Sequence, residues 1–161
     1  MSIEKLLWEH DATGLAALVH KGEVSPAELV EAAIARAERV NPEINAIAER
    51  LYDRARERAE KIDTGSPFAG VPFAIKDLGI AQKGVPTHGG SRVAPFVPDF
   101  DSELTVRYLA AGLVPIVTST APEYGIRLVT ESKAFGATCN PWNAGRTTGG
   151  SSGGAAALVA A

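Results

Sequence analysis

Residues 147–154 read TTGGSSGG and form the segment of this chain that is best suited to chemistry. Four glycines surround the adjacent hydroxyls of Ser151 and Ser152, so the backbone can adopt conformations with positive φ that residues with a Cβ avoid. A serine hydroxyl held in such a loop can act as a nucleophile or pass a proton to a neighbouring base. We therefore expect this segment to be a loop of an active site.

Lys76 is the second candidate, because it lies near the end of the apolar segment 70–77 (GVPFAIKD). Burial at the end of a strand disfavours the charged ammonium, which lowers the pKa of the lysine and makes the neutral amine available as a general base. A lysine in this position can instead reach solvent or pair with Asp77. A neutral amine close to a serine hydroxyl would support nucleophilic attack on a carbonyl carbon.

Taken together, these segments resemble the amidase signature family of serine hydrolases. The resemblance lies in GVPFAIKD at 70–77, in GATCNPWNAGR at 136–146 and in TTGGSSGG at 147–154, with Lys76 and Ser151 at the spacing usual in that family. It extends over essentially the entire chain. Within the family, the chain is most similar to the branch of nylon-oligomer hydrolases that act on aminohexanoate cyclic dimer.

The resemblance implies a Ser-cisSer-Lys triad, in which Lys76 is the lysine and Ser151 is the serine that follows a cis peptide bond. The nucleophilic serine is expected in a GGS-containing segment downstream of the chain's last residue, so the isolated 161 residues are expected to be inactive. The family hydrolyses carbon-nitrogen bonds of amides. The resemblance also implies a small-molecule amide as substrate, no metal or organic cofactor, and a full-length protein that could form a homodimer.

The other loop residues are assigned to substrate binding or loop support. They are Thr148, Gly149, Gly150, Ser152, Gly153 and Gly154. Two alternatives stay open: a noncatalytic remnant or interaction protein that keeps the fold, and a Gly-rich loop that binds phosphate at a helix N-terminus. The phosphate alternative lacks its signature, because neither GxxxxGK[ST] nor GxGxxG occurs at this loop.

Composition argues against several other classes of protein. A net charge of -3 gives no electrostatic reason to expect a nucleic-acid partner. No stretch approaches the roughly 20 apolar residues of a membrane span, and Glu4, Trp8 and Glu9 stand where a signal peptide is apolar, so we expect no membrane partner and a cytoplasmic location. Cys139 is the sole cysteine and the three histidines have no metal-ligand spacing, so no metal site is expected.

The elements that must position this chemistry fall into two parts, of which residues 1–62 are predicted to be helical. One helix should begin at the capping box of Ser25 and Glu28 and end at residues 41–42. A second, charged helix is predicted over residues 49–62.

Residues 63–161 are predicted to form the sheet and catalytic-loop region. They contain strands at 71–75 and 113–118, a helix at 101–111, and a helix that begins after the Gly-rich loop. The expected fold class is α/β. The resemblance implies a mixed twisted β-sheet flanked by α-helices, with residues 1–161 as the N-terminal portion of a single amidase domain that is incomplete at the C-terminus.

Overall fold

The computed structural model describes residues 2–161, which form both α-helices and β-strands. The helices are α1 (Ile3–Glu9), α2 (Ala12–His20), α3 (Pro26–Ile44), α4 (Tyr52–Lys61), α5 (Glu103–Ala110) and α6 (Gly153–Ala160). The strands are β1 (Ile47–Arg50), β2 (Pro72–Lys76), β3 (Val114–Ser119), β4 (Glu131–Ser132), β5 (Gly136–Ala137), β6 (Cys139–Asn140) and β7 (Asn143–Thr147). These elements confirm the predicted α/β fold class.

The first of two compact units consists of the N-terminal segment through Glu38, Leu51–Phe73 and Val106–Ile116. Its core is a cluster of buried apolar side chains from these segments, namely Leu6, Leu15, Ala16, Val19, Val24, Leu29, Ala69, Val71 and Leu113. Removal of such side chains from water is the main favourable contribution to folding.

The start of α3 confirms the predicted capping box. The backbone amide of Ser25 donates to Glu28 Oε2 at 2.8 Å, and the amide of Glu28 donates to Ser25 Oγ at 3.2 Å. Two amides that the first turn of a helix leaves without partners are thus satisfied by each other's side chains.

Two predictions made for residues 1–62 are wrong, namely the end of the first helix at residues 41–42 and the start of the second helix at residue 49. Helix α3 continues through Pro42 to Ile44, and the chain leaves it at Asn45, which has a left-handed φ of 49°. A proline near the end of a helix removes one hydrogen bond without forcing termination. Residues 47–50, partly assigned to the second helix, instead form β1, because their backbone pairs with β3.

The second compact unit consists of Arg39–Arg50, Ala74–Thr105 and Val117–Ala161. In it, β1 runs antiparallel to β3, with Ile47 opposite Ser119. The sheet to which they belong has the order β1-β3-β2, and β3 is buried along its whole length. Two short antiparallel pairs, β4 with β5 and β6 with β7, complete the strands among residues 2–161.

Four elements predicted around the candidate chemistry are confirmed. The strands predicted at 71–75 and 113–118 correspond to β2 and β3, and the helix predicted at 101–111 corresponds to α5. Helix α6 follows the Gly-rich loop as expected. No helix formed by residues 2–161 combines the length and the apolar character needed to cross a membrane.

Candidate active site

Lys76 is the last residue of β2, in which the preceding Ile75 is only 1% exposed. The lysine side chain is half-buried, and this burial lowers the pKa of Lys76 below the ordinary value of a lysine. Loss of solvation weakens the charged form of the amine relative to its neutral form. The end of β2 therefore favours an amine that can accept a proton.

The structure brings Lys76 together with both serines of the Gly-rich loop. Lys76 Nζ donates to Ser151 Oγ at 2.8 Å and to Ser152 Oγ at 3.0 Å. The peptide bond between Gly150 and Ser151 is cis, at the residue for which the family resemblance implies this geometry. A hydroxyl within hydrogen-bonding distance of an amine can exchange a proton with it directly.

The alternative in which Lys76 pairs with Asp77 is not what the structure shows. Asp77 follows the last residue of β2, and its carboxylate and the Lys76 amine have different partners. Lys76 binds the two serines, whereas Asp77 Oδ1 accepts a hydrogen bond from the backbone amide of His88 at 2.8 Å.

Thr130 holds the Gly-rich loop from outside it, and sequence reasoning missed this residue. Its hydroxyl donates to the carbonyl of Gly149 at 2.8 Å and accepts from the amide of Gly153 at 3.1 Å. The side chain is buried, so water competes weakly for these bonds. No local pattern marks a threonine that lies about 20 residues away from the loop it supports.

Two glycines of the loop are required by close approach to neighbouring residues. A Cβ on Gly153 would lie 2.2 Å from Thr130 Oγ1, and a Cβ on Gly154 would lie 2.5 Å from the backbone nitrogen of Thr120. Both distances are shorter than a real Cβ contact allows. The start of α6 therefore packs against its neighbours at a separation that a larger residue would prevent.

The remaining predicted loop residues lie around the two serines. Gly149 has a φ of 79°, which favours glycine, and its amide donates to Thr147 Oγ1 at 3.1 Å. Thr148 is half-buried and its hydroxyl would lie 2.3 Å from a Cβ on Gly153. Gly150 is exposed and precedes the cis bond. Each of these contacts fits a loop-support role.

The first amides of α6 are already engaged within the protein. The amide of Gly153 donates to Thr130 Oγ1, and the amide of Gly154 donates to the carbonyl of Thr120 at 3.2 Å. A phosphate site at a helix N-terminus relies on free amides in this position. This arrangement argues against the phosphate-binding alternative.

A polar contact between His88 and Glu49 of β1 was not predicted from the sequence. His88 Nε2 is 2.8 Å from Glu49 Oε1, and the ring of His88 meets that of Phe135 edge-on. Among residues 2–161, no three His, Cys, Asp or Glu side chains form a group that could hold a metal ion.

Comparisons with known proteins show which family the chain resembles over most of its length. The family described as Amidase matches residues 28–161 of the chain. The 6-aminohexanoate-cyclic-dimer hydrolase of Paenarthrobacter ureafaciens is 45% identical over 158 residues, which are 96% of this chain and 31% of that protein. One subunit of the glutamyl-tRNA(Gln) amidotransferase from Synechococcus sp. (strain CC9605) is 43% identical over 151 residues, which are 89% of this chain and 30% of that protein.

The fold is also shared with solved structures. A structure of 6-aminohexanoate cyclic dimer hydrolase superimposes with a TM-score of 0.87 at 44% identity, covering 94% of this chain and 32% of that one. The chain thus spans about a third of the length of these relatives. On the match over residues 28–161 and on this structural agreement, the chain belongs to the amidase family.

Proposed function

We propose that residues 1–161 are the N-terminal portion of a single amidase domain that hydrolyses the carbon-nitrogen bond of a small-molecule amide through a Ser-cisSer-Lys triad. The observation that carries the proposal is the 2.8 Å contact between Lys76 Nζ and Ser151 Oγ. Family membership supports amide chemistry. In the proposed triad, Lys76 is the general base and Ser151 is the proton relay.

The proposed reaction begins with proton transfer through Ser151. Neutral Lys76 accepts the Ser151 hydroxyl proton while Ser151 accepts the proton of a nucleophilic serine, which attacks the amide carbonyl carbon. The tetrahedral intermediate collapses to an acyl-enzyme as the proton returns through Ser151 to the departing amine. Water then cleaves the ester bond and releases the carboxylic acid. The lowered pKa of Lys76, caused by burial, supports its role as base.

We place the nucleophilic serine in a part of the protein outside these 161 residues. The relatives in the comparison are about three times as long as the matched segment. Both serines that bind Lys76 Nζ lie in the Gly-rich loop, where Ser151 is assigned as relay and Ser152 as support. The isolated chain is accordingly proposed to be inactive.

The substrate is proposed to be a linear or cyclic amide. The support is the similarity to the 6-aminohexanoate-cyclic-dimer hydrolase, to which 96% of this chain aligns at 45% identity. Because the amidotransferase subunit is 43% identical to this chain, glutamine is the informative second probe. Release of ammonia from glutamine, without hydrolysis of other amides, would favour an amidotransferase subunit instead.

The test compares this chain with the longer protein that contains it. Hydrolysis of a simple aryl amide, of aminohexanoate cyclic dimer and of glutamine is measured for both, and for Lys76→Ala and Lys21→Ala in the longer protein. Lys21 is a suitable control because its side chain is 66% exposed.

We expect activity in the longer protein and in Lys21→Ala, and a loss of at least about a thousandfold in Lys76→Ala, because the general base is removed. Full activity of Lys76→Ala would overturn the proposed triad. Activity of the 161-residue chain alone would overturn the placement of the nucleophile.

A further inference from the structure

Asp77, which the proposed reaction does not use, is a buried acid beside the candidate site. Its side chain is 1% exposed, and its Oδ2 has no hydrogen-bond partner among residues 2–161. Burial raises the pKa of Asp77, while the hydrogen bond from the amide of His88 opposes this rise. Burial of a carboxyl group costs free energy unless its oxygens are hydrogen-bonded. We therefore expect Asp77 to have a structural role next to β2.

Asp77 forms hydrogen bonds with the first two residues of a loop at residues 88–91. Its Oδ1 accepts from the amide of His88 at 2.8 Å, and its backbone carbonyl accepts from the amide of Gly89 at 3.0 Å. The amide of Asp77 itself donates to the carbonyl of Ser119 in β3 at 3.0 Å. The loop is therefore tied through Asp77 to the sheet.

The same loop is tied to the short 3-10 turn Glu123–Gly125. The amide of Tyr124 donates to the carbonyl of Gly89 at 2.8 Å, and Ser91 Oγ donates to Glu123 Oε1 at 2.9 Å. A Cβ on Gly90 would lie 2.5 Å from the carbonyl oxygen of Ala121, so the two backbones are in close contact.

Gly125, the last residue of the turn Glu123–Gly125, lies near the relay serine. A Cβ on Gly125 would lie 3.8 Å from Ser151 Oγ and 2.6 Å from Leu78 Cδ2. Tyr124 within the turn has a left-handed φ of 52°, a backbone conformation that residues other than glycine rarely adopt. Such a conformation persists where surrounding contacts hold it, and here the Gly89 carbonyl supplies one.

We propose that Asp77 is a positioning residue that acts through residues 88–91. This loop holds the turn Glu123–Gly125 beside Ser151, and the turn in turn keeps the Ser151 hydroxyl within hydrogen-bonding distance of Lys76 Nζ. The catalytic consequence rests on the proposed function, but the geometric claim does not. The carboxylate contacts the loop by accepting from the amide of His88, and hydrogen bonding with the backbone of Gly90 also favours it, so the His88 contact requires an acceptor in that position rather than a charge. An asparagine in place of the aspartate would keep the acceptor, and an alanine would remove it.

The test uses a readout that does not need enzyme activity. In the longer protein, trace acylation by acetic anhydride is measured from acid to alkaline pH by peptide mass spectrometry, which reports the neutral fraction of each lysine amine. Lys21 is the internal reference, because it is exposed in the same molecule. The variants are Asp77→Asn, Asp77→Ala and Ser91→Ala, with Val19→Ala as a control for lost packing in the other compact unit.

We expect Asp77→Asn and Val19→Ala to leave the pH dependence of Lys76 acylation as it is in the unaltered protein. In Asp77→Ala the Lys76 profile should move to higher pH, because water reaches an amine that has lost its contact with Ser151. Ser91→Ala should move it in the same direction by a smaller amount, and this variant carries the test if Asp77→Ala fails to fold. An unchanged Lys76 profile in both, or a shift in Asp77→Asn as large as in Asp77→Ala, would overturn the proposal.

Aryl-amide hydrolysis then separates this inference from the proposed function. Relative to the unaltered protein, we expect kcat to fall by roughly tenfold in Asp77→Ala and by less than about threefold in Asp77→Asn, whereas Lys76→Ala should lose at least about a thousandfold. A shifted acylation profile without any amide hydrolysis by the unaltered protein would retain the positioning role and reject the amidase proposal. A shifted profile with an unchanged kcat would reject the catalytic consequence alone.

Discussion

At the scale of single residues, the burial of Lys76 determines whether its amine can act as a base. Burial lowers the pKa of Lys76 relative to an ordinary lysine, and only the neutral amine can accept a proton from Ser151. The kcat/KM of the longer protein should therefore be low at acid pH and rise as the pH passes through this lowered pKa. A pH–rate profile with an aryl amide checks this, and activity that declines over the range in which Lys76 loses its proton would contradict it.

The two serines that bind Lys76 should differ in their contribution to catalysis. Ser151→Ala removes the proposed relay and should lower kcat by roughly a thousandfold or more, whereas Ser152→Ala removes one supporting hydrogen bond and should lower it by about tenfold or less. Steady-state kinetics of the two variants provide a matched comparison, because both lose one hydroxyl from the same loop. Equal losses would show that the relay is not confined to Ser151.

Lys76 and Ser151 could be identified from the sequence because each belongs to an uncommon local pattern, and the two patterns occur at the spacing of a known family. Thr130 and Asp77 could not, since their contacts join residues that are distant in sequence or engage only backbone groups. A buried threonine or aspartate has no local signature that distinguishes a loop anchor from an ordinary core residue.

At the scale of elements, the Gly-rich loop and α6 depend on close backbone contact. Gly154→Ala would place a Cβ 2.5 Å from the backbone of Thr120, so we expect the free energy of unfolding to fall by about 1–3 kcal/mol. Gly145→Ala is the control, because there the nearest atom is the exposed Asn143 side chain at 3.3 Å, and its effect should stay within about 0.5 kcal/mol. Urea unfolding of both variants measures the difference, and equal stabilities would refute the packing argument.

Helices and strands of this chain can be predicted where local sequence patterns determine them. They are harder to predict where hydrogen bonding to a strand distant in sequence determines them. The capping box of Ser25 and Glu28 and the apolar run of β2 are local, and the structure contains both. Strand β1 is not evident in the sequence because residues 47–50 become a strand through pairing with β3, about 70 residues later in the chain. Helix α3 ends beyond Pro42, where Asn45 has a left-handed φ and Asn41 Oδ1 accepts the amides of Ala46 and Ile47.

At the scale of the whole molecule, the described chain exposes large apolar side chains in the unit that contains the candidate site. Ile126, Leu128 and Val159 are 81%, 85% and 88% exposed. Large apolar side chains that are this exposed are candidates for contact with another segment or partner. If the longer protein of the proposed function exists, we expect its additional residues to cover part of this surface, because solved relatives with the shared fold are about three times as long.

This exposure predicts different surface properties for the short and long proteins. The 161-residue chain should bind a dye that fluoresces on apolar surface more strongly than the longer protein does, at equal molar concentration and neutral pH. Replacement of Ile126 and Leu128 by serine should reduce the signal of the short chain. A monomeric short chain that unfolds cooperatively and binds no dye would contradict the expectation.

The most direct test of the Lys76–Ser151 relay is the rate at which a fluorophosphonate labels the longer protein, with the labelled serine identified by peptide mass spectrometry. Because this reagent reports an activated serine without requiring the natural substrate, it separates the relay from substrate choice. We predict labelling at one serine downstream of Ser151, slowed by about a hundredfold or more in Lys76→Ala and in Ser151→Ala, and unchanged in Lys21→Ala. Labelling of Ser151 itself, or labelling at an undiminished rate in Lys76→Ala, would contradict the proposed triad.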